Sequence, residues 1–162
     1  MATRRHEERS RGRELALVTA CALAAHSGED GLGAWELLWA EPPGGEDGAA
    51  LARLLADDGA RAHAQGLVEA WLGARDEIDA QIEAASARWR IARMDRIDLA
   101  ALRLGAAELR GAPEVPTPVV LSEYVRLATR YGSERSGPFV NGVLASLARR
   151  LRASPAPETT GP

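Results

Sequence analysis

The sequence predicts an all-α protein, and three observations carry the prediction. Alanine and leucine dominate the apolar residues while aromatics are only 4%, a balance that favours helix over strand. Apolar residues recur at helical spacing, most clearly at Val120, Tyr124, Leu127 and Tyr131, which stand at i, i+4, i+7 and i+11. No segment shows the period-two alternation of a half-buried strand. With 162 residues, 46% of them hydrophobic, the chain can build one core or two small packed ones.

About seven helices are expected. Residues 1–8 read as a flexible basic arm. Ser10 is a good N-cap, so a first helix is expected from there to about Ala25, with Leu15, Val18, Ala22 and Ala25 along one stripe. The turn Ser27-Gly28-Glu29-Asp30-Gly31 stops it. A short helix carrying Trp35, Leu38 and Trp39 follows, and Pro42-Pro43-Gly44-Gly45 breaks the chain. Residues 47–88 read as helical with interruptions near Gly59 and Gly73. Here Ile78, Ile82 and Ala85 share a face, and Asp76, Asp79 and Glu83 form an acidic stripe. Asp95 to Arg110 carries Leu99, Leu102 and Leu109 at helical spacing. Gly111, Pro113, Pro116 and Pro118 then make a stiff connection to the helix that holds Tyr124. Gly132 suits a left-handed position beyond the end of that helix. The last helix is expected to bury Val140, Val143, Leu147 and Leu151. Arg149, Arg150 and Arg152 suit the negative end of its dipole. Residues 153–162, with three prolines, are expected to be disordered.

The net charge of −3 does not by itself mark a nucleic-acid binder, but its distribution is uneven. Arg4, Arg5, Arg9, Arg11 and Arg13 crowd the start against Glu7 and Glu8. A local basic field of this kind can hold phosphate on an acidic protein, because charges are screened beyond about 10 Å. Cys21 is the single cysteine, so no internal disulfide forms. No apolar run approaches the roughly 20 residues that span a membrane, and no leader pattern precedes the first helix; a cytoplasmic protein is expected. His6, His26 and His63 are scattered without metal-ligand spacing. Ser133 and Ser136 do not form a nucleophile elbow, and the glycines at 28, 31 and 33 lack the lysine of a phosphate loop. No catalysis, metal or cofactor is expected.

Two segments carry the most information. The first is Gly132-Ser133-Glu134-Arg135-Ser136-Gly137-Pro138-Phe139-Val140-Asn141-Gly142-Val143-Leu144. Asn141 lies between apolar neighbours, where an unpaired amide would cost about 1–3 kcal/mol, so it is expected to tie to another segment. Gly142 costs up to about 1 kcal/mol inside a helix, which implies a close-packed backbone. The second segment is Trp89 through Leu109, in which Asp98, Arg103 and Glu108 lie along one helix. Each is expected to pair with a neighbouring helix, with partner contact as the minority reading. Glu123 and Arg126 read as a solvated helical pair.

Both segments resemble the NusB family of transcription antitermination factors. Gly132, Glu134, Ser136, Gly137 and Phe139 through Leu144 match its C-terminal signature. Trp89, Arg93, Met94, Asp98, Leu102, Arg103, Leu104, Glu108 and Leu109 match its central segment. Arg9-Ser10-Arg11-Gly12-Arg13-Glu14 is similar to the family's arginine-rich opening. Leu99, Ala107, Ser122, Cys21, Arg135 and Pro138 depart from the pattern; Arg135 reverses a charge at what would be a partner edge.

The resemblance implies a helical domain over 9–152, built from subdomains at about 9–73 and 74–152. It implies a non-enzymatic adaptor that pairs with a small-subunit ribosomal protein, binds boxA-type single-stranded RNA and joins the RNA polymerase elongation complex. Arg5, Arg9, Arg11 and Arg13 are then the candidate RNA-binding residues. Asp98, Arg103, Glu108, Glu123, Arg135 and Asn141 are the candidate structural or partner contacts. The alternative is a divergent protein–protein module of the same fold without RNA binding. An RNA-modifying enzyme with a similar helical domain would need a cofactor-binding α/β domain in addition.

Overall fold

The computed structural model describes residues 1–25, 31–86 and 89–153. Within them the chain is helical and contains no strand. The eight α-helices are α1 (Ala2–Ala25), α2 (Gly31–Ala40), α3 (Gly45–Leu55), α4 (Asp58–Leu72), α5 (Arg75–Ala85), α6 (Arg96–Gly111), α7 (Thr117–Tyr131) and α8 (Ser136–Leu151), with a 3₁₀ turn at Ile91–Arg93 before α6. Residues 47–88 divide into three helices, as the interruptions expected near Gly59 and Gly73 imply, with the breaks at 56–57 and 73–74. Of the expected turn at 27–31 and the expected tail at 153–162, only Gly31, which opens α2, and Ala153 are among the described residues.

Local chemistry accounts for the helix starts. Asp57 caps α4 by accepting from the Ala60 N–H at 3.0 Å, and Asp95 caps α6 by accepting from Ile97 at 2.9 Å. Pro118 lies in the first turn of α7 and Pro138 in that of α8, where a missing N–H leaves no bond unmade. The largest departure is at the N-terminus. Helix α1 starts at Ala2, so residues 2–8 are its first turns rather than a flexible arm, and Ser10 is an interior residue that donates to Glu123 at 3.0 Å. Gly132 has φ −97° and ψ −157°, an extended rather than left-handed conformation. Glycine is needed there because a Cβ would lie 2.3 Å from the Ser136 hydroxyl oxygen.

Helix α6 is the axis of the molecule. It is buried almost without break from Ala100 to Leu109, with only Arg103 reaching outward, and it packs against α1, α4, α5, α7 and α8. Leu102 and Leu104 are fully buried, each worth about 1.5–3 kcal/mol of transfer free energy. Gly105 lets α8 and α7 close on α6, for a Cβ there would sit 2.8 Å from Leu144 and 3.3 Å from Tyr124. One apolar cluster runs from Leu15 on α1 through Val68, Trp71, Ile78 and Ile82 to Leu147 on α8. It crosses the turn at 73–74 where the two expected subdomains meet. Arg152 closes the far end. Its guanidinium donates to the carbonyls of Leu109 (3.0 Å), Ala112 (2.9 Å) and Val115 (2.7 Å), and so ties the last turn of α6 and the loop after it to the end of α8.

Candidate nucleic-acid interface

The arginines of α1 separate by position along the helix and by face. At about 100° per residue, Arg5, Arg9 and Arg13 form one stripe, and Arg11 lies roughly 160° away from Arg9. Arg4 and Arg11 face carboxylates. The Arg4 Nε donates to Glu8 at 3.0 Å, and Arg11 donates to Asp57 at 2.8 Å and lies 3.8 Å from Glu7. Asp57 is held below the usual carboxylate range by the Ala60 N–H first and by Arg11 second. Arg5 is exposed and Arg9 half-buried, and neither has an ion-pair partner among the described residues. They edge an open groove between the outer turns of α1 and the connection before α7, where Val115, Pro116 and Val119 form the opposite wall.

Arg13 departs from expectation. It is 1% exposed, so its guanidinium is not available to RNA. Nε and Nη2 donate to both oxygens of Glu108, at 3.0 Å and 2.6 Å for the nearer contacts, and the Tyr124 hydroxyl donates to Glu108 Oε2 at 2.9 Å. Glu123 lies 3.9 Å from Arg13 Nη1 and also accepts from Ser10 and, at 3.1 Å, from Arg126. Burial works against the Arg13 charge, the Glu108 carboxylate outweighs it, and the pKa stands above the ordinary arginine value. Burial, then Glu108, holds the Tyr124 hydroxyl well above its ordinary value, so it remains a donor. Glu123 is thus a buried hub rather than half of a solvated pair. His63 lies against Gly12, and burial, then Arg13, lowers its pKa.

The remaining candidates fall in different places. Arg103 donates to both oxygens of Asp79 on α5, each at 2.8 Å, and its guanidinium lies 5.6 Å from the Trp71 ring centre. Asp98 has no cationic partner among the described residues. Its Oδ1 is buried without a hydrogen bond, and burial raises its pKa against an opposing bond from Ser136. Arg135 is exposed at the start of α8. Asn141 is exposed rather than buried, and a Cβ on Gly142 would meet nothing within 4 Å, so neither residue tethers or admits another segment. Gly142 lies instead on an open surface beside Trp89, 53% exposed, whose ring meets Phe139 edge-on at 6.4 Å.

A second groove lies on the other side of α1, walled by α3 and the end of α7. Its residues include Arg11, Val18, Leu51, Arg53, Leu54, Arg130 and Tyr131. Arg53, Arg130 and Tyr131 carried no signal in the sequence. Tyr131 ends an apolar stripe, and only the fold turns it outward. The burial of Cys21 pushes its thiol up to about 11, which leaves it protonated and unreactive. Among the described residues no group of three or more histidine, cysteine, aspartate or glutamate side chains could hold a metal ion, and no helix is long and apolar enough to cross a membrane.

Comparison with known proteins bears on this arrangement. The NusB family model matches residues 31–149. The transcription antitermination protein NusB of Sorangium cellulosum is 43% identical over 88% of this chain and 93% of its own length. Among solved structures, NusB from Aquifex aeolicus superposes with a TM-score of 0.66 at 25% identity, covering 94% of this chain and 98% of its own. A chain in the crystal structure of a plectonemic RNA supercoil has a TM-score of 0.66 at 27% identity, covering 91% of this chain and 99% of its own.

Proposed function

This chain belongs to the NusB family of transcription antitermination proteins, and from that premise we propose that it is a non-catalytic, cytoplasmic RNA-binding adaptor. It binds boxA-type single-stranded RNA together with a small-subunit ribosomal protein, and the assembly joins the RNA polymerase elongation complex. The observation that carries the reading is the pair Arg5 and Arg9, one turn apart on α1, without carboxylate partners among the described residues and beside an open groove. Uncommitted guanidinium groups neutralise phosphates and release counterions. Arg11, on another face of α1, stays a candidate as well, since its side chain is 52% exposed. A structural relative that occurs in a crystal of an RNA supercoil supports the same reading. The adaptor works by coupling: each ligand raises affinity for the other by the same factor.

The test is fluorescence anisotropy with a labelled boxA-type oligoribonucleotide, with and without the ribosomal protein. Binding is expected, and it tightens when the ribosomal protein is added. The Arg5→Ala/Arg9→Ala double variant, whose stability is expected to stay within about 0.5 kcal/mol, binds more weakly with a salt slope shallower by about 1.4. Unchanged affinity at low salt would exclude these residues. A protein–protein module without RNA binding is the second reading. It is favoured by the carboxylates that engage Arg4, Arg11 and Arg13, and it predicts capture of the ribosomal protein with no response to RNA.

A further inference from the structure

The groove between α1, α3 and the end of α7 has features that a phosphate-only contact does not need. Its floor is apolar, from Val18, Leu51 and Leu54. Tyr131 is 40% exposed beside it, and the Arg130 guanidinium lies over the Tyr131 ring at 5.2 Å from its centre. Arg53, exposed in the last turn of α3, has no ion-pair partner among the described residues. Arg11 borders the groove from α1, its guanidinium bonded to Asp57 at 2.8 Å. Among the described residues the one carboxylate lining the groove, Glu14, is already engaged: it accepts from the Tyr131 hydroxyl and lies 3.1 Å from Arg130. That bond also fixes the ring.

We infer that this groove seats an unstacked base of single-stranded RNA against the Tyr131 ring, with a flanking phosphate on Arg53. The inference rests on the RNA-binding reading above and adds a second contact surface to it. Every base has a π-face, so an aromatic ring backed by cations suits a single strand. An acidic peptide would use the cations and leave the ring and apolar floor without a role. Residues 1–7 are exposed, so a strand can pass from Arg5 and Arg9 across the outer turns of α1 into the groove. Burial, then Glu14, pushes the phenol up to about 12. The ring therefore meets RNA uncharged, and stacking carries no phenolate repulsion.

The experiment is a salt titration of boxA-type oligoribonucleotide binding by anisotropy, with photocrosslinking of a 5-iodouridine-substituted version of the same oligonucleotide. Tyr131→Ala is expected to weaken binding about ten-fold or more with an unchanged salt slope, because stacking releases no counterion. Tyr131→Phe, which keeps the ring, stays within about two-fold of the parent. Arg53→Ala makes the slope shallower by about 0.7, and the crosslink maps to Tyr131. If the Arg5/Arg9 double variant loses affinity while Tyr131→Ala and Arg53→Ala do not, the groove is off the RNA path and the inference falls, although the adaptor reading stands. If the Tyr131 and Arg53 variants lose the ribosomal protein but keep RNA, the groove is a peptide site and the inference falls. If the parent protein binds no RNA in any condition, both readings fall together.

Discussion

Arg9 and Arg13 lie one turn apart on the same stripe of the same helix and end in opposite environments. Arg9 borders an open groove without a partner among the described residues. Arg13 is sealed beneath α6 and α7 with Glu108 and Tyr124. Face alone does not decide the role of a cation on a long helix. What decides it is how far the neighbouring helices reach along it. The outer turns of α1 extend past that cover and stay in water, where a charge costs nothing to keep. The inner turns are covered, and a charge there persists only with a paired, hydrogen-bonded partner.

The most direct way to break the comparison is Arg13→Ala. It leaves the Glu108 charge buried without its partner, and a loss of about 3–5 kcal/mol in urea denaturation is expected. The neutral pair Arg13→Met/Glu108→Gln, which still accepts from Tyr124, recovers much of that. A small effect of Arg13→Ala would mean that water reaches the pair. Next in size is Gly12→Ala, on the same inner turns. Its Cβ would lie 2.8 Å from the His63 Cβ and 2.9 Å from the Ala60 carbonyl oxygen. Overpacking of α1 on α4 is expected to cost about 1–3 kcal/mol. The smallest effect tests a glycine without that cover. Gly142→Ala meets open space and is expected to raise stability by up to about 1 kcal/mol through helix propensity. If it also lowers affinity for the ribosomal protein, the bare backbone beside Trp89 is kept for a partner.

The family signature in residues 132–144 was legible and its physical cause was not. Asn141 and Gly142 suggested burial because their neighbours in sequence are apolar. On a helix those neighbours point elsewhere, and both residues face outward. Among the candidate RNA contacts, Arg5 and Arg9 are unpaired among the described residues, while Arg13, at the inner end of the same groove, is 1% exposed and paired with Glu108, a division invisible in a run of arginines. Arg53 and Tyr131 are far apart in sequence and line one groove only because α3 and α7 flank α1. No local pattern links them.

The amino-acid order by itself determined the all-helical class, the breaks near Gly59 and Gly73, the helix that begins at about Asp95, and the family. Those features depend on spacings of a few residues, and backbone geometry enforces them wherever the chain goes. Only the tertiary structure decided which arginines are ion-paired, that Glu123 is a hub, and that Tyr131 lines a groove. These depend on the burial and approach of distant segments, where a few ångströms of desolvation change a solvated charge into a structural one.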